Sequence, residues 1–279
     1  MTETAGLQSN FKFKAKLPAE SCAALASVLS KAMPAQTTPP DISLIASVLL
    51  LANLDYAPLL AFTGGTARLT VHEYQSFCFS APLQTGQDYS VSANPSAASK
   101  AKAAFGFESR ILDSSGQVCL ETRTILRHLD RSEICRLNGP ALPALVQQDP
   151  IDWVETRPIS QSLVNRYLTL SRDGNRVHND TEFARSVGLE GVIIPGMVLI
   201  GLLDFILARQ FFPYCCTDLK VRFMSPVSVG AKVRLGLQPR GFNGKGDIRL
   251  RAYATTTAGA VAMIADLVLD AMHASPRST

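Results

Sequence analysis

One order of parts occurs twice along this 279-residue chain, and that repetition narrows the folds open to it. In the first half Pro39-Pro40-Asp41 precedes an apolar run, ISLIASVLLLAN. Four alternating segments follow: ARLTVHEYQSFCFSAPL, QDYSVSA, AAFGFESRIL and VCLETRTILRHL. In the second half Pro195 precedes GMVLIGLLDFILARQF, and then come DLKVRFMSPVSV, AKVRLGLQP, DIRLRAYATTT and AVAMIADLVLDAM. The alternation of apolar and polar residues is that of half-buried antiparallel strands. Turn residues separate the segments, as in Asp113-Ser114-Ser115-Gly116 and Asn243-Gly244-Lys245-Gly246. Pro82-Leu83-Gln84-Thr85-Gly86 and Pro226-Val227-Ser228-Val229-Gly230 hold matching places in the two series. The expected fold is α+β: two copies of one unit, each an antiparallel sheet wrapped around a long buried helix. Breakers cluster between Asp130 and Pro158, with Gly139-Pro140, Pro143 and Pro150, so the expected division is 1–129, a linker at 130–152, and 153–279.

The two apolar runs are read as buried helices. Met197, Ile200, Leu203 and Leu207 share one face, but Leu199, Leu202 and Ile206 occupy others, and a helix apolar nearly all round belongs inside a protein. Pro195 suits the first helical turn, where a missing N–H costs nothing. A membrane span is not expected: Asp55 and Pro58 interrupt the first run, Asp204 and Arg209 the second, and a charge near a bilayer centre costs about 2.5–3.5 kcal/mol. The first twenty residues show neither an apolar signal core nor a small-residue cleavage site, so no signal peptide is expected. With 47% hydrophobic residues the chain can bury a sizeable core, which excludes a disordered protein. Its formal charge of +4 is scattered rather than gathered into a basic stripe, so no nucleic-acid partner is expected. Cys22, Cys78, Cys119, Cys135, Cys215 and Cys216 form no CxxC or zinc-type spacing and read as reduced thiols in the cytoplasm.

Chemistry concentrates between Tyr167 and Met197. Asp173-Gly174-Asn175 is a turn signal. His178 follows just before Asn179-Asp180, either of which can cap a short helix TEFARSV that ends at Gly188. A carboxylate and an imidazole on one tight loop can therefore converge. Gly196 opens the second apolar helix and leaves a backbone N–H without an internal partner beside the positive end of the helix dipole. Adding water across a conjugated thioester needs these parts. The carboxylate and imidazole orient and deprotonate the water and move a proton to the α-carbon, each contributing about 10²–10⁴-fold. The amide stabilises enolate charge on the thioester oxygen by about 3–4 kcal/mol. Arg172 and Arg176, if they point inward, favour ionised Asp173. His72, His128 and His273 lie in strand or tail patterns and are read as structural, and Trp153 as a core or linker-docking residue.

Ser171-Arg-Asp173-Gly-Asn175-Arg-Val-His178-Asn-Asp180, with Ala184, Gly188 and Ile194-Pro195-Gly196-Met197 downstream, resembles the hydratase-2 motif of the MaoC-like hot-dog family, approximately S-G-D-x-N-P-x-H-x-D and then I-x-H-G-M. Arg222-Phe223-Met-Ser-Pro226-Val-Ser-Val-Gly230 resembles that family's R-F-x-x-P-V-x-x-G strand. The layout resembles the double hot-dog members, with a degenerate first copy and a catalytic second one. The resemblance implies (R)-specific enoyl-CoA hydratase or 3-hydroxyacyl-thioester dehydratase activity of fatty acid metabolism, acting on a coenzyme A or acyl-carrier-protein thioester. It implies no metal or redox cofactor and pairing into a homodimer. Asp173 and His178 become the catalytic pair, with Gly196 as thioester-oxygen donor and Asn175, Arg176 and Met197 as substrate-binding neighbours. The acyl chain then lies along the buried helix in a tunnel shaped partly by the first copy. Three positions depart from the motif: Arg172 stands for glycine, Arg176 for proline and Pro195 for histidine. The arginines are suited to clamping carrier phosphates, but they also fit a non-catalytic thioester-binding protein. A hot-dog thioesterase is the third reading open from the sequence.

Overall fold

The computed structural model describes residues 11–34, 40, 44–52, 69–96, 104–134, 136–137, 139–142, 152–242 and 246–271. The first half contributes strands β1 (Phe11–Lys16), β2 (Leu69–Phe79), β3 (Asp88–Ser96), β4 (Ala104–Leu112) and β5 (Val118–Leu129). The second contributes β6 (Trp153–Glu155), β7 (Cys215–Phe223), β8 (Val233–Phe242), β9 (Ile248–Thr256) and β10 (Val261–Asp270). The eight alternating segments of the sequence fall on β2–β5 and β7–β10. Their inward residues are buried, as Tyr89, Val91 and Ala93 on β3 or Leu219 and Val221 on β7 show. The edge strands β1 and β6 have no counterpart among those segments.

The sheet order is β1-β3-β4-β5-β2-β7-β10-β9-β8-β6. Read outward from the middle, the second half repeats the first strand for strand, with β2 and β7 at the centre and β1 and β6 at the edges. All pairings are antiparallel. The two five-stranded arrays are not separate sheets, as the sequence suggested, but one ten-stranded sheet. β2 and β7 pair over five residues each, from Tyr74↔Arg222 to Cys78↔Asp218. The matching strand pairs β4–β5 and β9–β10 each carry a cross-strand ion pair, Arg110–Glu121 and Arg251–Asp266. Both are exposed, and such pairs contribute about 0–1 kcal/mol.

Helices pack against the sheet in one shared core. The first half supplies α1 (Ala19–Ser30) and, after a 3-10 turn at Leu44–Ala46, the short α2 (Ser47–Leu51). Only this part of the ISLIASVLLLAN run is described. A one-turn helix α3 (Arg131–Ile134) follows β5, and α4 (Gln161–Ser171), α5 (Thr181–Ser186) and α6 (Gly196–Gln210) belong to the second half. Every residue of α6 from Val198 to Leu207 is buried, as an all-round apolar sequence requires. Pro195 is its N-cap residue, so the helix starts one residue later than the proline signal suggested. Among the described residues no helix is long and apolar enough to cross a membrane.

The halves meet around α6. A Cβ on Gly201 would come within 2.7 Å of Leu29 Cδ1 and 2.9 Å of Ile45 Cδ1, so the glycine sets how closely the helices approach. Three residues on, buried Asp204 accepts a hydrogen bond from the Leu44 N–H at 2.8 Å and thereby caps the start of the first half's 3-10 turn. A carboxyl group in this apolar helix is tolerated in part because it satisfies an orphan backbone donor. Trp153 packs with Tyr253, Ile264 and Leu142, the last in the linker, in keeping with a docking role. The five described cysteines, Cys22, Cys78, Cys119, Cys215 and Cys216, are free thiols, and Cys135 lies outside the described residues.

Candidate active site

The loop carrying Asp173 is launched by α4. Ser160 caps this helix, accepting from Leu163 N at 3.2 Å, and Leu163, Val164, Tyr167, Leu168 and Ser171 line its buried face. The helix stops at Arg172, whose φ of 52° and ψ of 30° are left-handed. That conformation costs an L-residue about 1–2 kcal/mol, which gives a physical reason for glycine at this place in the motif. Arg172 nevertheless holds it, so the reversal after α4 is kept.

The loop folds on its own polar groups. Asp173 Oδ1 accepts from Asn175 N at 3.0 Å, and the Asp173 N–H donates to Ser171 Oγ at 3.3 Å. Asn175 Oδ1 faces Val177 N at 3.5 Å, and its Nδ2 donates to Thr70 O at 3.2 Å, on β2 of the other half. The Asn175 amide is thus committed to orienting the loop. A 3-10 turn, Arg176–His178, brings His178 inward, and Gln161 Nε2 holds the His178 carbonyl at 2.9 Å. Asp180 then caps α5, accepting from Phe183 N at 2.9 Å, and Gly188 ends the segment with a φ of 106°.

His178 is buried, and its Nδ1 lies 2.8 Å from Ile193 O. A carbonyl only accepts, so Nδ1 carries the proton and the neutral ring leaves the Nε2 lone pair free. Asp173 Oδ2 lies 3.8 Å from that Nε2. This separation is too long for a direct hydrogen bond and right for two groups that contact one water at about 2.8 Å each. The Gly196 N–H has no acceptor among the described residues, whereas the flanking Ile194 and Val198 amides are bonded to Val227 O and Pro195 O. Phe223 packs so close to Gly196 that a Cβ there would lie 2.7 Å from its ring.

Asp173, His178, Gly196 and Met197 line one cavity of about 1450 Å³. First-half residues Val48, Leu51, Phe77 and Phe107 and second-half residues Tyr167 and Leu199 make up apolar wall. Five arginines, at positions 123, 127, 172, 176 and 222, line it as well, against the carboxylates of Glu73 and Asp173. Arg176 does not turn toward Asp173: it pairs with Asp180 through Nε at 3.1 Å and Nη2 at 2.5 Å and lies over the Phe183 ring at 4.5 Å. The partner four residues on thus holds the guanidinium at the cavity wall, away from the Asp173 carboxylate. Among the described residues, no three His, Cys, Asp or Glu side chains are grouped to hold a metal ion.

Sequence reasoning passed over one lining residue, His72 on β2. Its Nε2 lies 3.1 Å from Tyr74 O and 3.1 Å from Gln75 Oε1. Its ring meets Phe223 with centroids 4.8 Å apart. Burial pushes its pKa down to about 4, against hydrogen bonds to Gln75 and Tyr74 and the nearby Asp173 charge, which raise it. The ring is therefore neutral near pH 7. The sequence around His72 does not show this, because Asp173 comes from a loop about a hundred residues further along the chain that meets β2 through Asn175 and Thr70. His128 is structural as expected, bonded to Thr70 Oγ1 at 2.9 Å and stacked on Phe105, and His273 lies outside the described residues.

Residues 145–261 match the family model described as MaoC like domain. The 3-hydroxyacyl-[acyl-carrier-protein] dehydratase, mitochondrial, of Arabidopsis thaliana is 32% identical over 83 residues, 30% of this chain and 49% of the relative. The hydroxyacyl-thioester dehydratase type 2, mitochondrial, of Schizosaccharomyces pombe is 28% identical over 141 residues, 47% of this chain and 43% of the relative. The chain thus spans about half the length of the curated relatives it matches. Among solved structures, a MaoC-like dehydratase superposes with a TM-score of 0.72 at 14% identity, covering 95% of this chain and 98% of the other. That likeness establishes the hot-dog fold across both halves.

Proposed function

We propose that this chain, whose residues 145–261 form a MaoC-like domain, is a hydro-lyase. It adds water reversibly across the conjugated double bond of an enoyl thioester, giving an (R)-3-hydroxyacyl thioester. The observation that carries the reading is the 3.8 Å gap between Asp173 Oδ2 and His178 Nε2 in the cavity that also holds the open Gly196 N–H. In the hydration direction a water held by both groups gives its oxygen to the β-carbon. One proton leaves it for the Asp173–His178 pair, and one proton is returned from the pair to the α-carbon. The enolate charge that builds on the thioester oxygen meets the Gly196 amide at the positive end of α6. In this reading residues 153–279 are the catalytic copy, 130–152 the linker, and 1–129 a degenerate copy that lends apolar wall to the acyl tunnel.

The retained left-handed backbone at Arg172 favours this reading over a non-catalytic binder, since the loop keeps its shape despite the lost glycine. The excess of arginine over carboxylate along the cavity suits the phosphates of coenzyme A or a phosphopantetheine arm. The free thiols support a reducing, cytoplasmic setting, although both curated relatives carry mitochondrial names. A homodimer belongs to the same proposal, and light scattering of the purified chain reads it.

The test is turnover of crotonyl-CoA, followed by loss of the conjugated thioester absorbance. Asp173→Asn and His178→Ala are each expected to lower kcat by more than about 10²-fold with folding intact. Near-normal turnover in either variant removes that residue from the mechanism. Thiol release without loss of the double bond identifies a thioesterase instead, and binding with neither reaction identifies a carrier of thioesters.

A further inference from the structure

His72 lies in the half that carries no catalytic motif, yet it lines the catalytic cavity. The bonds around it fix its tautomer. The Gln75 amide is oriented by donating from Nε2 to Ser76 O at 3.1 Å, and its Oε1 accepts from Thr124 Oγ1 at 2.8 Å. His72 Nε2 therefore faces two acceptors, Gln75 Oε1 and Tyr74 O, and carries the ring proton. In the neutral ring Nδ1 is then a bare acceptor, and it has no partner among the described residues. The ring cannot swing away freely, because Phe223 packs on it and Phe223 is in turn wedged against Gly196.

The water that adds to the double bond brings two protons. One passes through the Asp173–His178 pair to the α-carbon. The other stays on the oxygen as the new hydroxyl O–H and needs an acceptor once the substrate fills the cavity. The Asn175 amide is committed to Thr70 and Val177, and the Gln75 amide to Ser76, Thr124 and His72 itself. We infer that Nδ1 of His72, on the first half's β2, accepts this O–H, so that the copy without the motif supplies the contact that recognises the 3-hydroxyl of the substrate. The inference rests on the hydro-lyase reading above. The neutrality of the ring at pH 7 suits the role, since a weakly basic nitrogen accepts a hydrogen bond without taking the proton. An enoyl thioester carries no such proton, so of the two thioesters the hydroxyacyl form alone makes the contact, which the transition state keeps because the O–H stays on its oxygen throughout.

The experiment compares (R)-3-hydroxybutyryl-CoA with butyryl-CoA, which lacks the hydroxyl, by calorimetry in an Asp173→Asn background that stops turnover. Replacing His72 by Phe keeps a flat ring against Phe223 and removes Nδ1. His72→Phe is expected to weaken hydroxybutyryl-CoA binding by about 3- to 10-fold and butyryl-CoA by less than about 2-fold. His72→Asn, which presents an amide oxygen near the Nδ1 position, is expected to restore part of the difference. With Asp173 intact, the KM for dehydration rises while that for hydration does not, although kcat/KM falls equally in both directions because the overall equilibrium is fixed. A measurement that needs no His72 variant is the Nδ1 nitrogen resonance of His72 in the Asp173→Asn protein. It shifts on adding hydroxybutyryl-CoA and stays in place with butyryl-CoA. Equal weakening of both ligands, or a resonance indifferent to the hydroxyl, overturns the inference while leaving a crotonyl-CoA hydratase in place. Absence of hydration by the unaltered protein overturns the hydro-lyase reading and takes this inference with it.

Discussion

Replacing Gly196 by alanine tests the proposed thioester-oxygen site directly. The added Cβ would stand 2.7 Å from Phe223 Cε1 and 2.9 Å from both Cδ1 and Cζ. Comfortable carbon contacts begin near 3.5 Å, so something must move by about 1 Å. The Phe223 ring has little room to retreat: His72 covers it, and its strand is paired with β10 through Met263. The start of α6 yields instead and carries the Gly196 N–H with it. Misplacing an oxyanion donor by this distance is expected to lower kcat by about 10²-fold, and the crowding to cost about 1–3 kcal/mol of stability. Gly201→Ala is the control. Its Cβ meets Leu29 Cδ1 at 2.7 Å and Ile45 Cδ1 at 2.9 Å, a similar crowding deeper in the same helix, so it costs stability and spares kcat. Phe223→Leu added to Gly196→Ala makes room and restores part of the rate. The assays are crotonyl-CoA hydration for kcat and KM and urea unfolding for stability. A folded Gly196→Ala protein with kcat within about 3-fold of normal would refute the reasoning, because the amide would then have been moved without consequence.

Removing the Asp204 carboxylate as Asp204→Ala leaves the Leu44 N–H without its acceptor at the contact between the halves, and urea unfolding is expected to show a loss of about 1–3 kcal/mol; Asp204→Asn, which keeps an oxygen, loses less. Arg172→Gly relieves a left-handed strain of about 1–2 kcal/mol and gives back part of it as unfolded-chain entropy, so the same assay is expected to show a gain of about 0.5–1 kcal/mol. Acid is expected to erode stability through His72. Its folded pKa, about 4, lies below the usual value of 6.5, so between those pH values the unfolded chain takes up a proton that the folded ring refuses. The stability is whole above pH 6.5 and is lost progressively as pH falls toward 4. In urea titrations across that range His72→Phe flattens this part of the pH dependence.

What the sequence reveals follows from how local the physics is. β5 coincides with the segment VCLETRTILRHL because a strand with one buried face carries that face in every second residue. β6 has three residues, too few to carry a period, and its place at the sheet edge is fixed by pairing with β8 rather than by its own pattern. The ten-stranded sheet escaped for a related reason: nothing within β2 or β7 marks that each will pair with the other. Asp173 and His178 could be read because the turn, the short helix and the cap that bring them together are written in one continuous run. Arg176 stands near Asp173 in sequence, but the four-residue spacing to Asp180 supplies its ion-pair partner.

The same distinction governs the cavity. Its acid–base loop comes from a single stretch, but the residues that shape it come from β2 and α2, and no pattern in the second half anticipates them. Asn175 reaches Thr70 across 105 residues of sequence, so the acid–base loop is hung in part from the first half. Phe77 and Phe107 face the space where an acyl chain would lie, and His72 backs the ring that crowds Gly196. The first half carries no D-x-N-x-x-H run, yet its residues line the cavity that holds Asp173 and His178. Substitutions along β2 should change which thioesters are accepted while the Asp173–His178 distance stays as it is, and that separation of selectivity from acid–base chemistry is what the joined sheet makes possible.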